Sequence, residues 1–178
     1  MGLRLEELTI ADPETVPEAL KANLAKALDE CAGRSLELVF FCRYDGPGAG
    51  TQTWWEAVLL SADGLVYGEL ACDSAGSWPS FSCYAPTAQG ITLHTTNAPA
   101  WHTWREPPFF EVQVLSKRLS YRDVVERHFE RIQTRDVCRL DKSRMASYIR
   151  DTSNERADYW VQRGVFVPMS PKEIEQSC

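Results

Sequence analysis

The sequence predicts a single α+β domain: an N-terminal helix, a five- to six-stranded antiparallel meander sheet, and C-terminal helices packed on that sheet. Helical periodicity appears near the start and again after residue 120, while strand-like segments separated by turn residues fill the middle. With 178 residues, 44% of them hydrophobic, the chain can bury one core and is too short to favour two. The predicted parts are the helix within 1–33, the sheet within 36–115, the helical region 120–167 and the tail 168–178.

The N-terminal helix is predicted over 16–31. Thr15 and Glu18 have the spacing of a capping box, in which the two side chains would bond free amides of the first turn. Apolar residues then recur at helical spacing from Val16 to Cys31. Gly33 follows, and glycine is the usual left-handed residue after a helix.

The sheet is expected to begin with three consecutive antiparallel strands. Segments 36–44 and 51–60 flank a glycine-rich loop, and the turn sequence at 61–64 leads into 65–72. Residues 53–60 are mostly apolar at both alternating sets of positions, so we expect that strand to be covered on both faces. Shorter candidates lie at 81–84, 91–96 and 109–115.

Beyond Ser120, a reasonable cap, the sequence predicts one amphipathic helix and then shorter helices at 142–150 and 153–163. The spacing of 135–167 is similar to that of a winged helix-turn-helix, in which a recognition helix enters the major groove. That resemblance makes nucleic-acid binding an alternative function. The candidate contacts to nucleic acid or another anion are arginines: Arg127, Arg131, Arg135, Arg139, Arg144 and Arg156. A solvated helix face, partly paired by Asp123 and Asp136, is the simpler interpretation of the first four.

Charge is unevenly distributed. Residues 1–111 carry 6 Lys and Arg against 15 Asp and Glu, while residues 117–163 carry 12 against 8. The whole chain has a formal net charge of -6. An acidic sheet region therefore precedes a mildly basic helical region, and the acidic part favours a basic protein as partner over nucleic acid.

The six cysteines are expected to be reduced. The first residues lack the apolar run of a signal peptide, and no segment has the length of a membrane span. These features predict a cytoplasmic protein that does not bind membranes. Cys31, Cys42 and Cys138 have apolar neighbours and are predicted to be buried, and His128 is predicted to be a packed core residue.

No motif specifies a reaction. The loop 46–51 lacks the lysine and the following helix of a phosphate-binding loop, and Cys72 and Cys83 lack zinc-ligand spacing. We therefore predict no catalytic residue, no metal and no cofactor, and favour a role other than catalysis. An enzyme or small-ligand protein stays open as an alternative, with a pocket under the sheet lined by Trp54, Cys72, Cys83 and His94.

The strongest candidate contact surface is a proline-bounded loop that contains Trp101, His102, Trp104 and Arg105. Tryptophan and arginine dominate binding hot spots because they combine large contact area with a polar group. The alternative is that both tryptophans fold under the sheet and close the core. The sequence thus favours a small protein-binding module of the immunity-protein, chaperone or adaptor type, which acts by surface contact on another protein.

Overall fold

The structure is a computed structural model that describes residues 8–45, 53–73, 75–77, 79–98 and 106–164. Within these ranges a mixed sheet is flanked by three α-helices. The strands are β1 (Thr9–Ala11), β2 (Leu36–Asp45), β3 (Thr53–Ser61), β4 (Tyr67–Asp73), β5 (Ser80–Pro86), β6 (Thr92–Thr96) and β7 (Phe110–Val114). The helices are α1 (Glu18–Glu30), α2 (Tyr121–Ile132) and α3 (Met145–Gln162).

The sheet follows the order of the chain from β1 to β7. Five neighbouring pairs are antiparallel, whereas β6 and β7 are parallel. The predicted α+β class is confirmed, but the sheet has seven strands rather than five or six, and β1 precedes the first helix. A three-residue strand is too short to show alternation in sequence. Parallel pairing needs a long connection between strands, and residues 97–109 supply it.

Helix α1 agrees with the predicted helix except at its ends. The capping box is wrong: Pro17 is the N-cap without a side-chain bond, and the Thr15 hydroxyl donates to the Asp12 carbonyl instead. Gly33 is not the left-handed residue, because the chain adds a 3-10 turn over Ala32–Arg34 and reverses at Ser35, with φ of 48°. Both corrections concern the ends of the helix. Helix ends are the part of an element whose position the sequence predicts least well.

Helices α1 and α2 pack on one side of the sheet, called the first face. Its strand residues alternate in sequence and are fully or nearly fully buried, among them Phe41, Ala57, Leu59, Leu70, Phe81 and Leu93. Burial of each large side chain contributes about 1.5–3 kcal/mol. This face is the main apolar core of the domain.

Two predictions about α2 are confirmed. Ser120 caps it in a reciprocal capping box with Asp123. His128 is fully buried against the first face, with Nδ1 3.0 Å from the Thr95 hydroxyl.

Helix α3 lies on the opposite side, called the second face, where Met145 and Ile149 belong to one apolar cluster with Leu60 and Tyr67. The predicted division into helices at 142–150 and 153–163 is wrong, since one helix runs from Met145 to Gln162 after a 3-10 turn. No glycine or proline interrupts this segment. Met145, Ile149 and Ala157 form one buried stripe at helical spacing, and burial of this stripe keeps the helix continuous.

The cysteine predictions are confirmed at two of three positions. Cys31 and Cys42 are buried, whereas Cys138 is exposed. Cys138 lies in an extended segment that joins the sheet through its backbone amide, which donates to the Pro86 carbonyl at 2.8 Å, so its side chain is free to point outward. In the described part of the chain no helix has both the length and the apolar surface needed to cross a bilayer.

Candidate functional site

The second face carries polar side chains in the centre of the sheet. Successive side chains of a strand point to opposite faces, so the strand residues that do not point to the first face point to the second. The pairing register brings Cys42 opposite Glu56, Glu69 opposite Ser82, and Tyr84 opposite His94. A sheet that buries apolar residues on one face thus holds carboxyl, hydroxyl, thiol and imidazole groups on the other.

Two of these groups form a carboxyl pair. Glu69 lies opposite Val58 and Glu56 lies opposite Ala71, so the two glutamates are diagonal neighbours on β3 and β4. Both residues are only partly exposed. Burial, and then the negative charge of Glu69, raise the pKa of Glu56 well above its usual range. Burial also raises the pKa of Glu69, so this pair holds a proton more readily than exposed glutamates do.

Polar groups of β2 surround Glu56. The Cys42 sulfur lies 3.7 Å from a Glu56 carboxylate oxygen, to which the thiol donates, and 3.5 Å from the Tyr44 hydroxyl oxygen. Tyr44 also forms a hydrogen bond with Glu56. Burial raises the pKa of Cys42, so the group is a protonated thiol that orients Glu56, not a nucleophile.

A stack of rings crosses the face next to this pair. Tyr67 stacks on Tyr84 with ring centroids 4.7 Å apart, and Tyr84 stacks on His94 at 4.3 Å. Tyr148 of α3 meets the edge of Tyr67 at 5.8 Å. The Tyr84 side chain is also hydrogen-bonded to Glu69, which links the stack to the carboxyl pair.

Arg156 of α3 supplies positive charge to the same face. Its guanidinium forms an ion pair with Glu106 and lies 5.2 Å and 4.8 Å from the ring centroids of Phe110 and Trp160. The positive charge of Arg156 lowers the pKa of Glu69 and of His94, although burial is the larger cause at both residues. Arg156, Glu69 and His94 therefore belong to one electrostatic cluster.

Several buried atoms of this cluster have no hydrogen-bond partner among the described residues. They are both ring nitrogens of His94, Nε of Arg156 and Oε2 of Glu106. Most buried polar atoms in folded proteins are paired, so these atoms are the ones on this face that a water, an ion or another polar group would satisfy. Burial lowers the pKa of His94 well below its usual range, and its imidazole is neutral.

The arginines of the predicted strip have partners within the chain, and their role as contacts to nucleic acid or another anion stays a prediction. Arg131 donates to the His94 carbonyl, to Thr95 and to Glu111, and Arg135 also binds Glu111. Arg127 pairs with Glu130. Arg131 and Arg135 therefore stabilise the junction between the α2 region and the sheet, whereas Arg127 pairs within α2.

The other predicted arginines lie apart from one another. Arg144 is exposed at the start of α3, and Arg156 belongs to the second face. Arg139 lines an open groove of about 530 Å³ beside Gly64, where Glu37 and Asp141 provide the opposite charge. Trp101, His102, Trp104 and Arg105 lie outside the described residues, so their predicted contact role stays a prediction.

The predicted pocket under the sheet does not form from its four residues. Trp54 pairs with Asp73 on the second face, which also carries His94, whereas Cys72 and Cys83 lie on the first face. The sheet itself lies between the two faces. Trp54 and His94 therefore cannot line one cavity together with Cys72 and Cys83. Burial raises the pKa of Cys72 to about 11, which also argues against a reactive thiolate.

Comparisons with known proteins give no indication of the function. No family model, no curated protein and no solved structure matches this chain. Within the described ranges, no group of three or more His, Cys, Asp or Glu side chains is arranged to hold a metal ion. The sequence interpretation missed Glu56 and Glu69. One signal was available: Glu56 lies within a strand that was expected to be covered on both faces, and charged residues are rarely buried without a specific reason.

Proposed function

We propose that this chain is a protein-binding module, of the immunity-protein, chaperone or adaptor type, which contacts a basic partner through the second face of its sheet. The observation that supports this function is a band of partly exposed aromatic and acidic side chains on that face. The band consists of Tyr44, Trp54, Glu56 and Glu69. The first face is covered by α1 and α2, whereas these four residues keep part of their surface exposed although α3 packs on the same face.

The chemistry of the band favours a basic partner. Tyrosine and tryptophan provide large contact area at interfaces, and partly desolvated carboxyl groups attract a cation that relieves their mutual repulsion. The net charge of -6 would accelerate encounter with a positively charged protein. A cytoplasmic location, where the cysteines stay reduced, fits the same proposal.

Capture of partners from the native host by chemical cross-linking and mass spectrometry tests the function. The wild type is compared with Glu56→Gln/Glu69→Gln and with Glu155→Gln, which changes an exposed carboxyl on α3. We expect one or more basic partners to be captured by the wild type and the control and lost by the double variant. If the folded double variant captures the same partners in the same yield, the second face is not the contact surface.

The loop predicted from the sequence is tested in the same experiment. Trp101→Ala/Trp104→Ala should also reduce capture if that loop contributes to the interface. Nucleic-acid binding remains the alternative from the sequence, although α3 is one helix and the arginines of α2 have carboxylate partners. A gel shift at low salt decides it, since backbone contacts are strongest there.

A further inference from the structure

We infer that the second face contains a binding site for a small planar molecule that carries a carboxamide group. The site lies at the junction of α3 with strands β6 and β7, where His94, Glu106 and Arg156 come together. This inference goes beyond the proposed function, because it adds a small-molecule ligand to a chain proposed to bind a protein.

Helix α3 places Arg156 next to His94. The Arg156 guanidinium lies 5.2 Å from the centroid of the Phe110 ring, and Phe110 on β7 is the direct neighbour of Thr92 on β6. The hydroxyl of Tyr148, two helical turns before Arg156, is hydrogen-bonded to the same Thr92. His94 lies two positions further along β6 and points to the same face. Burial, and then the positive charge of Arg156, lower the pKa of His94, which agrees with this placement.

Three side chains at the junction carry buried polar atoms that no described residue pairs. His94 is 4% exposed, and neither of its ring nitrogens has a hydrogen-bond partner there. The Glu106 side chain is 6% exposed; its Oε1 accepts from Arg156, whereas Oε2 is unpaired. Nε of Arg156 is unpaired as well. Buried polar groups without partners destabilise a fold, and a ligand at this junction would supply the partners.

The unpaired atoms include both donors and acceptors. Nε of Arg156 carries a hydrogen and donates, while Oε2 of Glu106 accepts. A neutral histidine has one ring nitrogen that donates and one that accepts, so His94 adds one of each. A carboxamide offers two N–H donors and a carbonyl oxygen with two lone pairs. It therefore matches this set of two donors and two acceptors.

The charges at the junction favour a neutral ligand. Arg156 and Glu106 form an ion pair, so their charges offset each other. His94 is neutral because burial lowers its pKa well below the usual range. A carboxylate or an ammonium group would bring an uncompensated charge among buried side chains, which is unfavourable.

Aromatic rings favour a planar molecule over a lone water. The rings of Phe110 and Trp160 lie against the Arg156 guanidinium, and the Tyr84 ring stacks on His94 at 4.3 Å. Small-molecule sites combine aromatic walls with a few convergent polar groups. A water molecule could satisfy some of the polar atoms but gains nothing from the rings, whereas an aromatic carboxamide contacts both.

An NMR titration of the full chain tests the site with three probes of nearly the same shape: benzamide, acetophenone and benzoate. Acetophenone keeps the carbonyl but lacks the N–H donors, and benzoate is charged and lacks donors. We expect benzamide to bind saturably with a Kd of about 1 mM or lower, and to shift the backbone amides of His94 and Arg156. The other two probes should bind at least about tenfold more weakly.

Matched variants locate the site. Arg156→Lys keeps a cation beside Glu106 without the Nε donor, and His94→Phe keeps a flat ring on Tyr84 without the nitrogens. Each should weaken benzamide by at least about tenfold, whereas Arg163→Lys, at the exposed residue that follows α3, should bind like the wild type. Melting temperatures confirm that the variants fold, and Arg156→Lys decides if His94→Phe does not fold.

Glu106→Gln tests the hydrogen bonds of the ligand directly. Glutamine can keep an oxygen toward Arg156 and place its amide nitrogen where Oε2 accepted, which replaces an acceptor by a donor. Benzamide should lose its advantage over acetophenone in this variant. If Glu106 only holds the structure, both probes would weaken by the same factor, and the assigned contact would be wrong.

A fourth probe distinguishes a small molecule from a partner's side chain. Acetylglutamine methylamide presents the same carboxamide as a glutamine of a protein would, and it should bind more weakly than benzamide because it lacks a ring. Tighter binding of this probe would overturn the small-molecule ligand.

Four other results would overturn the inference. If benzamide does not bind the wild type, the unpaired atoms are satisfied by water. Acetophenone binding as tightly as benzamide would show a purely apolar contact, and tighter binding of benzoate would show an anion site. Equal weakening in Arg163→Lys would place the site elsewhere. The capture experiment changes Glu56 and Glu69, which none of these variants alters, so the proposed function is judged separately.

Discussion

Arg156 and Glu106 form an ion pair that joins α3 to the segment preceding β7 across the second face. The pair is largely buried, with side chains 21% and 6% exposed. Arg156 also lies over the rings of Phe110 and Trp160. This arginine therefore helps to fix the position of α3 on the sheet.

Arg156→Met should destabilise the protein. The substitution keeps an unbranched stem against the two rings but leaves the buried Glu106 without its cation, which costs about 3–5 kcal/mol when one partner of such a pair is removed. Urea denaturation measures the change. Arg163→Met, at an exposed position over Tyr159, should change the free energy of unfolding by less than about 0.5 kcal/mol.

A double variant checks that the charge is responsible. Arg156→Met/Glu106→Gln removes the uncompensated carboxylate and should recover part of the lost stability. A double variant as unstable as the sum of both single variants would show that packing, and not the ion pair, explains the loss.

Glu56→Gln should stabilise the protein in a pH-dependent way. The folded state raises the pKa of Glu56, so its protonated form contributes stability that is present below the pKa of the unfolded chain and is lost as pH rises through the folded pKa. Glutamine resembles the protonated carboxyl at every pH. The variant should therefore match the wild type near pH 5 and exceed it near pH 8, by about 1–2 kcal/mol.

The groups that face Glu56 are Cys42 and Tyr44 from β2 and Glu69 from β4, and Glu69 is the other carboxyl group among them whose pKa burial raises. Glu69→Gln should therefore also flatten the pH profile. Guanidinium denaturation at several pH values measures it, with Glu155→Gln as control. An unchanged wild-type slope in Glu56→Gln would contradict the raised pKa.

The antiparallel order of β2 to β4 and the alternation of faces along β3 could be predicted from the sequence, but the position of Cys42 could not. A β-bulge between Leu38 and Phe40 changes the register of β2 against β3. Without the extra residue, Cys42 would point to the same face as Leu38, away from Glu56. Neither composition nor turn residues mark that bulge, so the contact between Cys42 and Glu56 depends on tertiary pairing.

Arg156 shows the same limit in a helix. The sequence identified it as a cation, but grouped it with arginines of α2 that contact the other side of the sheet. Which side a helix covers depends on the whole chain path, and the unbroken course of α3 was itself set by burial of Ile149 and Ala157. Local sequence patterns predicted most of the helices and strands. The proximity of Arg156 to Glu69 depends on how α3 packs on the sheet, which local patterns do not specify.

Thr95→Val should destabilise the junction between α2 and the sheet. The Thr95 hydroxyl accepts from Arg131 at 2.7 Å and lies 3.0 Å from Nδ1 of the fully buried His128. Valine has nearly the same shape but no hydroxyl, so two buried groups lose a partner, at a cost of about 1–3 kcal/mol. Thermal unfolding measures it, with exposed Thr134→Val as control. Equal melting temperatures for both variants would contradict the role of the hydroxyl.

Gly64→Ala should distort the turn between β3 and β4. Gly64 has φ of 72°, and a Cβ there would lie 2.7 Å from the Leu140 carbonyl oxygen and 3.0 Å from Cγ of Arg139. Gly90 is the matched control, because its φ is 76° while no heavy atom lies within 4 Å of the added Cβ. Gly90→Ala should therefore show only the cost of the left-handed backbone, about 1 kcal/mol.

Gly64→Ala adds a clash with backbone to that cost, so its loss of stability should exceed the loss in Gly90→Ala by at least about 1 kcal/mol. The Gly64 carbonyl accepts from the Leu140 amide at 2.7 Å, which ties this turn to the segment that leads into α3. Hydrogen exchange at the Leu140 amide should accelerate in Gly64→Ala and not in Gly90→Ala. Equal acceleration in both variants would mean that backbone strain alone, and not the contact with Leu140, holds the segment in place.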